Sequence, residues 1–248
     1  RDDHGLIVID ADHFEKIHID VIFPVLHGKN GEDGTIQGLC ELAGIPFVGC
    51  DMVSSAICMD KVLTNILLTN GGVEKAKFVH MWESEYRNDP DASIRKIETE
   101  LEYPIFVKPS RAGSSVGISK AHDQDELKKA IDVALKEDNR VLFEETIVGR
   151  EIECAVMGND ELFVSVVGEV APTHEFYDYE AKYISGDSKL FIPAPISDDI
   201  ANKIKETACK AYKIMGCSGL SRIDFLLENG TNKIFLIEPN TLPGFTSI

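Results

Sequence analysis

The sequence lacks any apolar run approaching the roughly 20 residues that a membrane-spanning helix needs. Positive charge is also scarce, since 25 Lys and Arg stand against 42 Asp and Glu and the formal net charge is −17. Binding to nucleic acid or to an anionic membrane depends on clustered Lys and Arg, so this charge argues against both partners. An anionic substrate would need a local basic pocket or metal ions.

The cysteines lack the spacing of a metal site. No CxxC pair and no nearby histidine accompanies them, which argues against zinc. Because they lie among apolar neighbours, we expect reduced, buried thiols in a cytosolic protein. The six positions are Cys40, Cys50, Cys58, Cys154, Cys209 and Cys217.

The predicted elements change in kind along the chain. A buried strand at 19–26, a glycine loop and a helix at Thr35–Ala43 form an α/β unit, and a second helix runs from Ser54 towards Asn70. Short strands then predominate, with two helices that begin at Asp123 and Ser197. The predicted strands are 103–109, 116–120, 141–145, 151–157, 162–169, 223–227 and 233–237. An α/β part followed by an α+β part implies distinct lobes with a cleft between them. Since no obvious first strand or final helix is present, we expect both ends of the fold to be incomplete.

The last predicted hairpin carries the strongest chemical signal. Asp224 and Glu238 fall on its two strands, and Asn240 adds an amide oxygen. These are hard oxygen ligands of the kind that hold Mg²⁺ against phosphate. Arg222, always charged and fork-shaped, suits phosphoryl or carboxylate oxygens beside the metal. An ordinary acidic hairpin is the alternative.

A glycine and serine loop follows Lys108. The residues Ser-Arg-Ala-Gly-Ser-Ser-Val-Gly at 110–117 can wrap phosphates with backbone N–H groups and hydroxyls while the lysine supplies charge. The loop lacks the order of a P-loop and does not open a long helix, so neither Walker A nor Rossmann applies. A flexible hairpin is the alternative here, and a solvated surface lysine is the alternative for Lys61.

Three other segments carry candidate residues. Glu144 and Glu151 flank a turn that could bind a nucleoside, although a solvated charged turn is the alternative. His27 ends the first predicted strand, where open α/β sheets place ligands, and it is interpreted as a substrate contact. The tyrosine-rich stretch 177–183 lies in a long connection and predicts an active-site lid, with a surface aromatic cluster as the alternative.

These signals occur together in one family. The chain resembles the D-alanine:D-alanine ligases of the ATP-grasp superfamily over nearly all of its length. The motifs that carry the resemblance, in order, are Phe23-Pro-Val-Leu-His-Gly-Lys-Asn-Gly-Glu-Asp-Gly34, Met59-Asp-Lys61, Val107-Lys-Pro-Ser-Arg-Ala-Gly-Ser-Ser-Val-Gly117, Glu144 to Glu151, Phe176-Tyr-Asp-Tyr-Glu-Ala-Lys-Tyr183, Gly216-Cys-Ser-Gly-Leu-Ser-Arg-Ile-Asp224 and Glu238-Pro-Asn-Thr-Leu-Pro-Gly-Phe-Thr246.

The resemblance implies a fold of three lobes. Residues 1–49 would be the remainder of an N-terminal α/β substrate lobe, 50–144 the central ATP-grasp lobe, and 145–248 the C-terminal catalytic lobe, truncated at its end. ATP would lie between the last two lobes. The resemblance also implies a cytoplasmic homodimer that acts on small molecules, with no nucleic acid or membrane as partner.

The resemblance further implies the roles of the site residues. ATP would contact Lys61, Lys108, Glu144, Ile147, Glu151, Phe176 and Lys182. Two Mg²⁺ ions, with Mn²⁺ as a substitute, would be held by Asp224, Glu238 and Asn240. The amino acids would meet His27, Ser114, Tyr183, Arg222 and Gly244, and Ser114 and Tyr183 would close the lid.

The implied reaction has two steps and serves peptidoglycan precursor synthesis. The first D-alanine carboxylate takes the γ-phosphoryl group, and the second amine attacks the acylphosphate. Lys182 and Arg222 would neutralise developing charge, and Arg222 with the Gly244 N–H would hold the oxyanion. Because the acylphosphate hydrolyses readily, the lid must exclude water.

Other activities remain as alternatives. D-Alanine:D-serine ligation differs by one hydroxyl group, which hydrophobic pockets reject weakly. The D-lactate-forming branch lacks the lysine-tyrosine pair present here at Lys182 and Tyr183, and is therefore disfavoured. A nucleotide-binding regulatory protein without turnover is a more distant alternative, because a sensor would not need Lys182 and Arg222 beside the metal ligands.

Overall fold

The computed structural model describes residues 5–10, 13–171 and 189–244. Its helices are α1 (Thr35–Ala43), α2 (Met52–Met59), α3 (Lys61–Asn70), α4 (Glu83–Asn88), α5 (Pro90–Glu100), α6 (Gln124–Ala134) and α7 (Asp198–Ile214). Its strands are β1 (Gly5–Asp10), β2 (His13–His18), β3 (Phe78–Trp82), β4 (Ile105–Pro109), β5 (Ser119–Ala121), β6 (Arg140–Glu145), β7 (Gly149–Gly158), β8 (Leu162–Val164), β9 (Gly168–Ala171), β10 (Lys189–Phe191), β11 (Leu220–Glu228) and β12 (Ile234–Asn240).

No single helix in these ranges is long and apolar enough to cross a membrane. The bent pair α2 and α3 meets that criterion of length and composition only when the two are taken together, with 100° between them.

The first large sheet has the order β3-β6-β4-β5 and is antiparallel throughout. Helices α5 and α6 cover it, and their apolar residues Ile97 and Ile131 are fully buried against Ile105 and Phe143 of the sheet. The side chain of Asp123 accepts a hydrogen bond from the backbone N–H of Glu126, which caps α6. The predicted start of this helix is confirmed.

The second large sheet has the order β10-β9-β7-β11-β12, with β8 paired to β7. Helix α7 buries Tyr212 against Ile223 and Phe225 of β11. The same core includes Cys58 of α2 and Leu68 of α3, so these two helices pack on the second sheet. The division of the chain at residues 49 and 144 stays a prediction.

The single helix predicted from Ser54 towards Asn70 is wrong. The chain bends at Asp60, whose side chain caps α3 by accepting from the backbone N–H groups of Val62 and Leu63 at 3.1 and 3.0 Å. The same buried carboxylate accepts from the Ser110 hydroxyl at 2.7 Å and lies 3.7 Å from Arg140. The apolar pattern continues through the bend, which is why periodicity alone indicated one helix.

Two predicted strands also differ from the structure. The run 19–26 forms one isolated bridge, Ile22 with Phe47, and Phe23 and Val25 are exposed. A buried strand needs a ladder of partners on both sides, and the described residues supply only this bridge. The predicted strand 162–169 is divided into β8 and β9, and between them the Ser165 hydroxyl accepts from the Ala155 N–H at 2.9 Å.

Residues 74–77 connect the two large sheets. The carbonyl of Glu74 accepts from the Leu236 N–H in β12, and the carbonyl of Lys77 accepts from the Glu145 N–H in β6, both at 3.0 Å. This segment therefore fixes the second sheet against the first at one edge, and a cleft opens between them.

Candidate active site

The cleft between the two large sheets has a volume of about 600 Å³. Every predicted site residue within the described ranges lines it: His27, Lys61, Lys108, Ser114, Glu144, Ile147, Glu151, Arg222, Asp224, Glu238, Asn240 and Gly244. Phe176, Lys182 and Tyr183 lie outside the described residues, so the predicted lid stays a prediction.

Strands β11 and β12 bring the four polar residues of the predicted hairpin together. Asp224 lies opposite Glu238, and Arg222 lies opposite Asn240. Arg222 donates to both carboxylate oxygens of Asp224 at 2.7 and 2.8 Å, and the Asn240 amide nitrogen donates to Asp224 at 2.8 Å. The facing arrangement predicted for these strands is confirmed.

Arg222 is held from two sides. Besides Asp224, its Nε lies 3.0 Å from a carboxylate oxygen of Glu153 on β7. The charge of Asp224, acting against the cost of burial, raises the pKa of Arg222 above its ordinary value. Sequence reasoning missed Glu153. Glu153 follows Glu151 by two positions on β7, so the two side chains lie on the same face of the strand. This spacing was the available signal.

Lys61 connects α3 to the glycine loop. It is the first residue of α3, its backbone N–H donates to the Ser110 carbonyl at 2.9 Å, and its Nζ donates to the Ala112 carbonyl at 2.7 Å. The same Nζ lies 3.6 Å from Glu238. A single lysine thus connects the glycine loop to the carboxylates of β12.

The glycine loop has an unusual backbone. Ser114 and Ser115 have φ values of 52° and 59°, and Gly117 has a φ of 74°. A Cβ on Gly117 would lie 2.8 Å from Cγ of Glu137. Positive φ angles at successive residues turn backbone groups towards a common side, as in loops that bind phosphate.

Lys108 and Glu144 form a close ion pair in the first sheet. Their side chains are 2.6 Å apart, and the Asn65 amide donates to the other Glu144 oxygen at 2.8 Å. Burial alone would raise the pKa of Glu144, but Lys108 and Lys75 together lower it below its ordinary value. The carboxylate is therefore ionised at neutral pH despite an exposure of only 7%.

Lys75 is a charged residue near the cleft that the sequence did not reveal. Its Nζ donates to the backbone carbonyl of Ile237, next to Glu238. Burial is the largest influence on it and lowers its pKa to about 8, although Glu144 acts in the opposite direction. No periodicity or motif marks this lysine, because its role depends on the packing of the 74–77 segment.

Glu32 belongs to the loop that follows His27 and also lines the cleft. Its carboxylate accepts from the Gly28 N–H at 2.5 Å. Burial raises the pKa of Glu32, and the nearby charge of Glu238 adds to the rise. Glu32 lies within the first motif of the family resemblance, but the sequence alone indicated no role for it.

The donor set fits a hard divalent cation. The described residues contain no group of three or more His, Cys, Asp or Glu side chains arranged to hold a metal. The candidate set is instead two carboxylates and an amide on facing strands, Asp224, Glu238 and Asn240. Arg222 and Lys61 compensate the two carboxylates in this arrangement. Oxygen donors of this number suit Mg²⁺, which takes the rest of its ligands from substrate and water.

Two family models match the chain. Residues 67–248 match the D-ala D-ala ligase C-terminus, and residues 3–50 match the D-ala D-ala ligase N-terminus. The chain belongs to the D-alanine–D-alanine ligase family. The predicted resemblance is confirmed, and the two-sheet architecture around the cleft is the ATP-grasp fold of this family.

Named relatives agree with this assignment. A D-alanine–D-alanine ligase of Caldicellulosiruptor bescii is 51% identical over 248 residues, which is 100% of this chain and 68% of the relative. One of Ruminiclostridium cellulolyticum is 54% identical over 235 residues, 94% of this chain and 62% of the relative. The chain thus spans about two thirds of the length of these relatives.

Solved structures of the family have the same fold. The crystal structure of VanG D-Ala:D-Ser ligase from Enterococcus faecalis has a TM-score of 0.85 and 45% identity, covering 98% of this chain and 72% of that one. The D-alanine-D-alanine ligase from Coxiella burnetii has a TM-score of 0.82 and 32% identity, covering 98% and 66%.

Proposed function

We propose that the protein joins two D-alanines to D-alanyl-D-alanine at the expense of ATP, for peptidoglycan precursor synthesis. One observation carries this proposal. A single cleft brings an arginine and two carboxylates from β11 and β12 to face two lysines from the first sheet and α3. Such a site can bind a polyphosphate and neutralise the charge that develops during phosphoryl transfer.

Nucleotide binding is assigned to residues at the edge of the first sheet. Lys61 and Lys108 supply charge for phosphates, and both lie within reach of carboxylates that they can exchange for phosphate oxygens. Glu144 is the penultimate residue of β6, Ile147 follows in the turn to β7, and Glu151 on β7 lines the cleft. We assign the adenine to Glu144 and the turn, and the ribose to Glu151.

Two Mg²⁺ ions are assigned to Asp224, Glu238 and Asn240. Bound there, they would supply positive charge to the phosphoryl oxygens and orient them. Arg222 now donates to both Asp224 oxygens, so metal binding at Asp224 requires the guanidinium to release at least one of them.

Arg222 is the residue assigned to the reacting carbonyl. Glu153 and Asp224 hold its guanidinium from two sides, so its position costs little reorganisation when negative charge develops. The backbone N–H of Gly244, which also lines the cleft, is assigned as the second donor to the oxyanion. The first D-alanine carboxylate attacks the γ-phosphorus, ADP leaves, and the amine of the second D-alanine then displaces phosphate from the acylphosphate.

The residues nearest the amino acids are assigned from both loops. His27 and Ser114 line the cleft on the side of the glycine loop, and Gly113 approaches Gly28 closely enough that a Cβ on it would lie 3.2 Å from the Gly28 Cα. The contribution of Phe176, Lys182 and Tyr183 to nucleotide binding and lid closure stays a prediction. A cytoplasmic homodimer and substitution of Mn²⁺ for Mg²⁺ also stay predictions.

D-Alanyl-D-serine is the second candidate product. It is favoured by one observation, the likeness to a structure named as a D-Ala:D-Ser ligase at 45% identity. The test measures phosphate release from ATP with D-alanine alone, D-serine alone and both together, and identifies the products by mass. D-Alanyl-D-alanine as the main product supports the first proposal, whereas dominance of the mixed dipeptide would favour the second.

A further inference from the structure

Lys108 balances the charge of the buried Glu144 carboxylate in this structure. The two side chains are 2.6 Å apart, and Glu144 is almost completely buried. The proposed function gives Lys108 to a nucleotide phosphate. If Lys108 turns to the phosphate, Glu144 loses a cation at contact distance and keeps only neutral partners, the Asn65 amide and the adenine assigned to it. The free-energy cost of an uncompensated buried carboxylate would offset much of the nucleotide affinity that Lys108 contributes through the phosphate.

Lys75 supplies a second positive charge that acts on Glu144. The 74–77 segment that carries it is hydrogen-bonded to β12 on one side and to β6 on the other. The Nζ of Lys75 is itself held by the Ile237 carbonyl. The charges of Glu144, Lys108, Glu238 and Lys61 all act on this ammonium, and Glu144 raises its pKa against the larger effect of burial.

Lys75 does not itself line the cleft. Its neighbour Ala76 is among the residues that line it. A pKa of about 8 leaves its ammonium mostly protonated at neutral pH. The residue can therefore compensate Glu144 without contacting the nucleotide.

We propose that Lys75, held by the Ile237 carbonyl on the segment that connects β12 to β6, is a positioning residue whose positive charge near Glu144 remains in place when Lys108 exchanges Glu144 for a nucleotide phosphate. This inference rests on the proposed nucleotide binding. It differs from a purely structural role, in which Lys75 would only tie the 74–77 segment to β12 through Ile237.

The test is calorimetric titration of ADP with Mg²⁺ at neutral pH. Lys75→Met is expected to weaken ADP binding roughly tenfold or more, and Lys75→Arg, which keeps the charge, by less than about threefold. Lys77→Met is the matched control on the same segment, because the Lys77 side chain is exposed and contacts the Glu100 carbonyl. It is expected to bind ADP as the unmodified protein does.

A double-mutant cycle separates the two roles of Lys75. In a Glu144→Gln background no carboxylate needs compensation, so adding Lys75→Met is expected to change ADP affinity by less than about threefold. An equal loss in both backgrounds would overturn the proposal in favour of a structural tie. Unchanged affinity in Lys75→Met alone would also overturn it.

The double variant Lys75→Met, Glu144→Gln tests the proposal even where Lys75→Met alone does not fold. If Lys75→Met alone fails to fold, the double variant, which lacks the cation and the anion together, is expected to fold and to bind ADP like Glu144→Gln. Its failure to do so would contradict the proposal. Absence of ADP binding by the unmodified protein would refute the proposed function itself, which is a different result from a defect confined to Lys75→Met.

Discussion

Individual residues of the cleft are held in compensated pairs. Arg222 is shared between Asp224 and Glu153, Lys61 lies near Glu238, and Lys108 contacts Glu144. In each pair, a bound phosphate could replace the carboxylate as partner of the cation, and a bound metal could replace the cation as partner of the carboxylate. The site is therefore preorganised for a ligand that carries both signs of charge, such as a metal–nucleotide complex.

The carboxylates of β11 and β12 are expected to be essential for turnover. Asp224→Asn or Glu238→Gln should lower the rate of phosphate release roughly 100-fold or more, because each removes a hard ligand from the proposed metal site. Titration of Mg²⁺ in the assay should show a raised requirement in each variant. Glu74→Gln is the control, since Glu74 forms an exposed pair with Lys233 at 2.6 Å. Activity that is unaltered in both variants would refute the metal assignment.

Lys75 should make stability depend on pH. Burial lowers its pKa in the folded protein from 10.5 to about 8. Below pH 8 the Lys75 ammonium is charged in both the folded and the unfolded protein, and the free-energy cost of burying it is fully present. Between the two pKa values the unfolded chain keeps a proton that the folded protein has released, so the free energy of unfolding rises with pH.

Lys75→Met removes this dependence. Urea denaturation between pH 8 and 10.5 should show the unmodified protein gaining up to about 3.5 kcal/mol relative to the variant as pH rises, since one pKa unit is worth about 1.4 kcal/mol. Lys77→Met should instead run parallel to the unmodified protein. Parallel curves for Lys75→Met would show that the ammonium is not penalised by burial.

Secondary-structure elements were predicted best where local pattern and tertiary partners agree. The β11–β12 hairpin follows from two apolar runs and a turn, and its register places Asp224 opposite Glu238 as expected. The bend at Asp60 was missed because the apolar stripe continues through it. The cap that begins α3 is formed by the Asp60 side chain, which the apolar pattern does not report. Lys75 and Glu153 were missed because their roles depend on burial beside other elements, which spacing alone does not report.

Asp60 should be a point of high structural sensitivity. Asp60→Ala removes the cap of α3 and leaves the Ser110 hydroxyl and Arg140 without this carboxylate. We expect the free energy of unfolding to fall by roughly 2–4 kcal/mol, measured by urea denaturation. Asp89→Ala is the matched control, because Asp89 caps α5 through the exposed Ala92 N–H. Equal losses in the two variants would mean that the buried contacts of Asp60 contribute nothing beyond the cap.

The glycine loop should be sensitive to added volume at Gly117. Gly117→Ala would place a Cβ 2.8 Å from Glu137, in addition to the strain of a positive φ. We expect a KM for ATP raised several-fold through displacement of the loop. Gly230→Ala, in the β11–β12 turn, has a similar φ of 80° but no atom within 4 Å of the new Cβ. A raised KM in both variants, or in neither, would contradict a steric role of the loop in ATP binding.

At the scale of the whole molecule, the ATP-grasp architecture explains why one cleft collects residues from such distant parts of the chain. The 74–77 segment fixes β12 against β6, and the bend at Asp60 brings Lys61 to the glycine loop. The motif order in the sequence was sufficient to predict the family and the cleft. It was insufficient to predict which sheet α2 and α3 pack against, because an apolar stripe shows that a helix face is buried but not which element buries it.

Choice of the second substrate also belongs to this scale. We expect D-alanine to be preferred, with D-serine as the main rival, and no useful ligation of D-lactate at neutral pH. The reason is that an ester-forming pocket must reject the ammonium group of the more abundant amino acid, and no added cation beyond the phosphate-binding lysines was found for this in the sequence. A competition assay at equal concentrations in which the depsipeptide dominates would refute this reasoning.

The central claim is that the cleft activates a D-alanine carboxylate by phosphorylation. It is tested most directly by supplying ATP, Mg²⁺ and D-alanine labelled with ¹⁸O in its carboxylate, and measuring the masses of the dipeptide and the released phosphate. We expect D-alanyl-D-alanine together with phosphate that carries one ¹⁸O atom from the carboxylate. Unlabelled phosphate released without dipeptide would contradict it.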